Sequence, residues 1–140
     1  MNEENRILGI DFGIKRIGLA LSDPLLIFSY PYTTIMNDNS FWNKLKSIIE
    51  EKNVTKIILG YPLRNNRAKF DISDNVLEFK TKLINRFHLE VILWDERYTS
   101  EIAKQVVINS GIKKSKRKDK GLLDKNSAAI ILQEYLDERK

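Results

Sequence analysis

Residues 7–23, ILGIDFGIKRIGLALSD, place an aspartate at the end of a run that otherwise reads as a buried strand. Ile7, Leu8, Gly9 and Ile10 precede Asp11, and Phe12, a glycine-bearing turn and a second apolar run follow it. A carboxylate in that setting is costly unless something binds it. Residues 6–12 and 17–21 fit two strands, and the short GIKR link between them suggests an antiparallel hairpin.

Working outward, Phe28, Tyr30 and Tyr32 alternate with Ser29 and Pro31, which suggests a third strand with an edge-compatible proline. Ser40 is placed to cap a helix whose Phe41, Leu45, Ile48 and Ile49 share one face. KIILG (56–60) reads as a short buried strand ending at Gly60-Tyr61-Pro62. Residues 71–87 carry Ile72, Val76, Phe79, Leu83 and Phe87 in one helical stripe, and EVILW (90–94) is a further apolar strand running into DERYTS. Thr99 or Ser100 can cap a helix ending near Gly111, and a last helix runs to about residue 137. A three-strand meander followed by alternating helices and strands predicts an α/β fold. Its mixed five-stranded sheet carries helices on both faces and is antiparallel at one edge. One domain over residues 1–140 is the simplest organisation.

Ligands of such sheets collect at the carboxyl ends of the parallel strands, where Asp11, Gly60 and the Asp95-Glu96 pair fall. On the last helix, Ala128, Ile131, Leu132 and Tyr135 cluster around the direction of Asp124, so an acid stands in the core-facing stripe. Asp124 could instead serve as an N-cap, with its helix beginning one residue later. Taken with Asp11 and Glu96, a shared site is the better reading. Three carboxylates aimed at one edge repel one another without a cation. Two Mg²⁺ or Mn²⁺ ions about 3.5–4 Å apart would neutralise them and clamp a phosphodiester for in-line attack. Asp11 is the expected bridging ligand and Asp95 the reserve for Glu96, since alternation puts those two on opposite sides of the strand.

Composition agrees with oxygen-only ligation. The chain has no cysteine and a single histidine, His88, which excludes thiolate or histidine-based zinc sites and a catalytic triad. His88 falls at a helix-to-strand junction and reads as structural. No apolar run approaches a membrane span and MNEENR is unlike a signal peptide, so cytoplasmic residence is the default expectation.

The net charge of +5 is concentrated in KKSKRKDK (113–120); removing its six basic and one acidic residues from totals of 24 and 19 leaves 18 of each. Such a block either contacts nucleic acid or forms a solvated loop. Lys113, Lys114, Lys116, Arg117 and Lys118 are candidate clamps on a nucleic-acid backbone, and Lys15, Arg16 and Arg97 candidate holders of flanking phosphates. Trp42 and Trp94 read as core residues.

RILGIDFGIKRIGLALSDP, KIILGYP, DERYTS and DKNSAAIILQEYLD resemble, in order and spacing, the bacterial YqgF/RuvX family. These RNase H-like proteins are described as Holliday junction resolvases and as nucleases maturing the 5′ end of pre-16S rRNA. The resemblance covers nearly the whole chain. It implies an RNase H-like fold, divalent-metal phosphodiester hydrolysis, a link to ribosome biogenesis, and acidic roles for Asp11, Glu96 and Asp124. LRNNRAKF (63–70) departs from the family's glycine-containing loop, and DERYTS has tyrosine where leucine is usual. The leading expectation is a metal-dependent nuclease on structured RNA, with branched DNA as the alternative substrate. A non-cleaving assembly factor is a second class. A nucleotide-binding lobe ranks last, because that fold needs two lobes.

Overall fold

The computed structural model describes residues 5–61, 70–95 and 120–139, with side chains described at 5–61, 74–95 and 125–139. Five strands, β1 (Arg6–Asp11), β2 (Arg16–Ser22), β3 (Ser29–Met36), β4 (Val54–Tyr61) and β5 (Glu90–Asp95), form one sheet in the order β3-β2-β1-β4-β5. The helices are α1 (Phe41–Glu51), α2 (Phe70–Phe87) and α3 (Lys120–Glu138). The β3-β2-β1 half is antiparallel and the β1-β4-β5 half parallel, as the order of apolar runs predicts.

Alternation along each strand divides the side chains between two cores. Leu8, Ile10, Leu19, Ile57 and Leu59 meet α1 and α2 through Phe41, Leu45, Val76, Phe79 and Leu83. Ile7, Ala20 and Ile58 meet α3 through Ala128, Ile131, Leu132 and Leu136. The second layer is closely apposed where Gly9 faces Ala128 and Leu132. A Cβ on Gly9 would lie 2.8 Å from Leu132 Cβ and 2.9 Å from the Ala128 carbonyl oxygen, so α3 sits almost directly on the β1 backbone. Ser29 and Gln133 tie the same helix to the edge strand. Ser29 N–H donates to Gln133 Oε1 at 2.8 Å, and Ser29 Oγ donates to the Ala129 carbonyl at 2.5 Å. Trp42 and Trp94 are partly buried and pack against these two cores, as expected.

Two local expectations are corrected and one alternative is excluded. The third strand starts at Ser29, after Phe28, because Asp23 Oδ1 accepts the Ile27 and Phe28 N–H groups and closes the preceding loop. Those donations outweigh burial, which acts the other way, and hold the Asp23 carboxyl below its ordinary value. Ser40 occupies the N-cap of α1 but makes no side-chain cap. Its hydroxyl and N–H instead donate to Asp38 Oδ1 at 2.6 and 2.9 Å, since a carboxylate is the stronger acceptor. Asp124 is not an N-cap: α3 begins at Lys120, which puts Asp124 in its second turn. The helix expected from Thr99 or Ser100 to Gly111 lies outside the described residues.

Candidate active site

Asp11 ends β1, the central strand. Parallel register pairs Ile10 with Leu59, Gly60 with Trp94 and Tyr61 with Asp95, so Asp11, Gly60 and Asp95 stand together at the carboxyl edge. The residues two and four before Asp11, Gly9 and Ile7, contact α3. Phe12 packs with the α1/α2 core. Asp11 is therefore placed on the α3 side of the sheet, half-buried at its edge.

Helix α3 runs antiparallel to β1. Tyr135 OH accepts from Lys56 Nζ at 3.1 Å, and Lys56 is the register partner of Ile7. Two residues further along β1, Gly9 lies against Ala128 and Leu132. Continuing in the same direction brings the turn containing Asp124, one turn before Ala128, to the level of Asp11. The absence of a side chain at Gly9 lets strand and helix approach closely at Ala128 and Leu132.

Ile92 and Trp94 pack with the α3 core, whereas Val91 and Leu93 pack with α1 and α2. Alternation assigns Asp95, at the strand end, to the α1/α2 side, while its charge still reaches Glu134 on α3. Glu96, Arg97 and Lys113, Lys114, Lys116, Arg117 and Lys118 lie outside the described residues, as does the Asp124 side chain. Lys15 is exposed in the β1–β2 turn, and Arg16 opens β2, half-buried. That turn is tightly held. A Cβ on Gly13 would collide with the Arg16 carbonyl oxygen. Asn37 locks the turn from outside, its N–H donating to the Lys15 carbonyl at 2.9 Å and its Nδ2 to the Gly13 carbonyl at 3.0 Å.

Two contributors carry no clear sequence signal. Asn37 follows β3 in a polar stretch that reads as an ordinary loop. Glu134 reads as a solvent-facing helix residue, yet it accepts from Trp94 Nε1 at 3.1 Å. Burial pushes the Glu134 carboxyl above its ordinary value. The Trp94 hydrogen bond opposes that shift, and the charges of Asp95 and Glu138 add to it.

The donor chemistry fits a hard divalent cation. Cysteine is absent, and His88 sits before β5, at the opposite end of the sheet. Among the described residues no three His, Cys, Asp or Glu side chains converge. A carboxylate at the edge of the central strand, with further acids within one residue of β5 and on α3, suits Mg²⁺ or Mn²⁺. No described helix is long and apolar enough to cross a membrane.

A family model described as RuvX, Holliday junction resolvase, matches residues 5–138. Curated relatives carry the provisional name pre-16S rRNA nuclease. The one from Porphyromonas gingivalis is 39% identical over 133 residues, covering 94% of this chain and 96% of that protein. The one from Ruminiclostridium cellulolyticum is 40% identical over 135 residues, covering 94% of each. Among solved structures, Thermus thermophilus RuvC in complex with Holliday junction substrate superposes with TM-score 0.57 at 14% identity, over 96% of this chain and 94% of that one. Fowlpox virus resolvase with Holliday junction DNA does so with TM-score 0.55 at 13% identity, over 96% and 98%. These likenesses establish the RNase H-like resolvase fold expected from the sequence motifs.

Proposed function

The chain belongs to the RuvX family, and from that premise we propose that it is a divalent-metal-dependent nuclease that hydrolyses phosphodiester bonds at the 5′ end of pre-16S rRNA. The observation that carries this reading is the corner built by β1 and α3. Asp11 ends the central strand on the side that α3 covers, at the level of the turn containing Asp124. Strand alternation along β5 supports Glu96 as the third ligand in this reading, with Asp95 the reserve.

Asp11, Glu96 and Asp124 would hold two Mg²⁺ or Mn²⁺ ions, which when bound supply Lewis acidity and charge neutralisation for in-line displacement. The protein's own residues bind and orient the strand. Lys15 and Arg16, presented by the rigid turn beside Asp11, hold phosphates flanking the cut. Arg97 and the basic residues Lys113, Lys114, Lys116, Arg117 and Lys118 draw in the polyanion and position it, without reading sequence. Such a role places the protein in the cytoplasm, in association with ribosome assembly.

The family description favours a second substrate, the four-way DNA junction. A Mn²⁺/Mg²⁺ cleavage assay on a pre-16S 5′ fragment and a mobile junction, wild type beside Asp11→Asn, separates the two. Cleavage of one substrate, lost with EDTA and in a folded, nucleic-acid-binding Asp11→Asn protein, is the expected result. Full turnover by Asp11→Asn would remove that residue from the mechanism. Tight binding with no cleavage of either substrate would make the protein an assembly factor.

A further inference from the structure

Immediately across the sheet from Asp11 is a cavity of about 230 Å³ that the nuclease chemistry does not use. Its apolar lining comes from Phe12, Trp42 and Phe79, whose rings are in contact: Phe12–Phe79 centroids are 4.7 Å apart and Trp42–Phe79 centroids 5.4 Å. Its polar lining includes Asn75, Glu78 and Lys82 along α2. Among the described residues the Asn75 and Glu78 side chains make no hydrogen bond or ion pair. Ile14, 55% exposed on the β1–β2 turn, stands at the rim. Aromatic rings beside amide and carboxylate groups suit a flat heterocycle with a hydrogen-bonding edge better than an apolar peptide.

We propose that this cavity receives one nucleobase of the strand being cut, extruded beside the scissile phosphate, and that guanine is the base it prefers. The direction of the inference rests on the nuclease reading. Phe12 is the neighbour of Asp11 at the carboxyl edge and faces the other side of the sheet, so a strand whose phosphate is held at Asp11 has to cross that edge to seat a base in the cavity. The Glu78 carboxylate selects the base. Guanine alone offers two adjacent donors, N1–H and N2–H, to the two oxygens of one carboxylate, whereas adenine, cytosine and uracil offer one donor group on that edge. Asn75 is placed to serve the guanine O6, and Lys82 the adjoining phosphate. Contact with the aromatic wall offsets part of the cost of unstacking the base from its own strand; the Arg86 guanidinium already lies 4.5 Å over the Trp42 ring, so the base meets Trp42 at its free edge.

The test needs neither metal nor cleavage. In a Trp94→Phe background Trp42 is the sole tryptophan, and a base in contact with it quenches its fluorescence. The pentanucleotides UUGUU, UUAUU, UUCUU and UUUUU are titrated in EDTA. UUGUU is expected to saturate the quench at a concentration at least five-fold lower than the others. Glu78→Gln and Asn75→Ala, at positions facing solvent and cavity, are expected to erase that preference with an unchanged thermal melt. Equal quenching by all four, no quenching by any, or a preference that survives both substitutions overturns the proposal. The outcomes separate from those of the cleavage assay. A guanine-selective quench in a protein that cleaves nothing keeps the cavity and removes the nuclease. Cleavage without the quench removes the cavity alone.

Discussion

Replacing Gly9 with alanine tests the contact that joins the two halves of the site. The added Cβ would lie 2.8 Å from Leu132 Cβ and 2.9 Å from the Ala128 carbonyl oxygen, and neither is the free end of a flexible side chain. Carbon atoms pack at about 3.5–4.0 Å, so α3 has to withdraw by roughly 0.7 Å or more at this level, or β1 has to bend away. Overpacking of this kind costs about 1–3 kcal/mol. At about 2–4 °C per kcal/mol for a domain near this size, the melting temperature should fall by about 3–10 °C. The catalytic consequence should be larger. Asp124 rides on α3 and Asp11 on β1, and a misplacement near 1 Å costs on the order of 100-fold where geometry is demanding. Circular-dichroism melts and Mn²⁺-dependent turnover, measured on the same preparation, check both effects. A melting temperature within about 1 °C of wild type, with turnover unchanged, would refute the close approach and with it the placement of the Asp124 turn.

Three other perturbations have defined outcomes. Ser22 is fully buried and its Oγ accepts the Ile7 N–H at 2.9 Å, so Ser22→Ala should cost about 1–3 kcal/mol by urea denaturation, the penalty of a stranded donor; a cost below about 0.5 kcal/mol would mean that water replaces the hydroxyl. Glu134 is held above its ordinary value of 4.5 chiefly by burial, so the native state takes up its proton more readily than the unfolded chain. Its stabilising contribution is present below that ordinary value and is lost as pH rises through the raised one. Glu134→Gln keeps an acceptor for Trp94 and should flatten that decline, giving an equal or higher melting temperature at pH 7; a lower one would show that the charge itself is favourable. Neutralising Lys113, Lys114, Lys116, Arg117 and Lys118 should weaken RNA binding and reduce the slope of log K against log salt by about 0.7–0.9 for each phosphate no longer neutralised, and an unchanged slope would make the segment a bystander.

The sheet is readable in the sequence because its strands are short apolar runs in an order that admits few topologies. Local polar competition is harder to read. Ser40 looks like a cap until Asp38, two residues upstream, takes its hydroxyl as a donor. The start of α3 is hard to read because two aspartates compete for the cap: Asp119 stands directly before Lys120 but inside a basic run that reads as a loop, whereas Asp124 carries a capping signal it does not use. His88 does stand at a junction, as its sequence position suggests. Its φ of 55° puts it in the left-handed region, which histidine, like asparagine and aspartate, enters more readily than most residues. The aromatic cavity has no linear signature, because its walls come from β1, α1 and α2 and because Trp42 reads simply as core.

The docking of α3 also has a consequence for the order in which the chain folds. The β1–β2–β3 meander closes through short loops, and its pairings cost little chain entropy. The Ser29–Gln133 bond, by contrast, joins residues 104 apart, and the Lys56–Tyr135 bond residues 79 apart. Pairings of that sequence separation are expected to form late, after the sheet and the α1/α2 layer have condensed around Phe41 and Leu59. Until then Ile7, Ala20 and Ile58 present an uncovered apolar stripe. The α3 face is therefore expected to be covered last, so substitutions in α3 should speed unfolding more than they slow folding, which stopped-flow unfolding rates check.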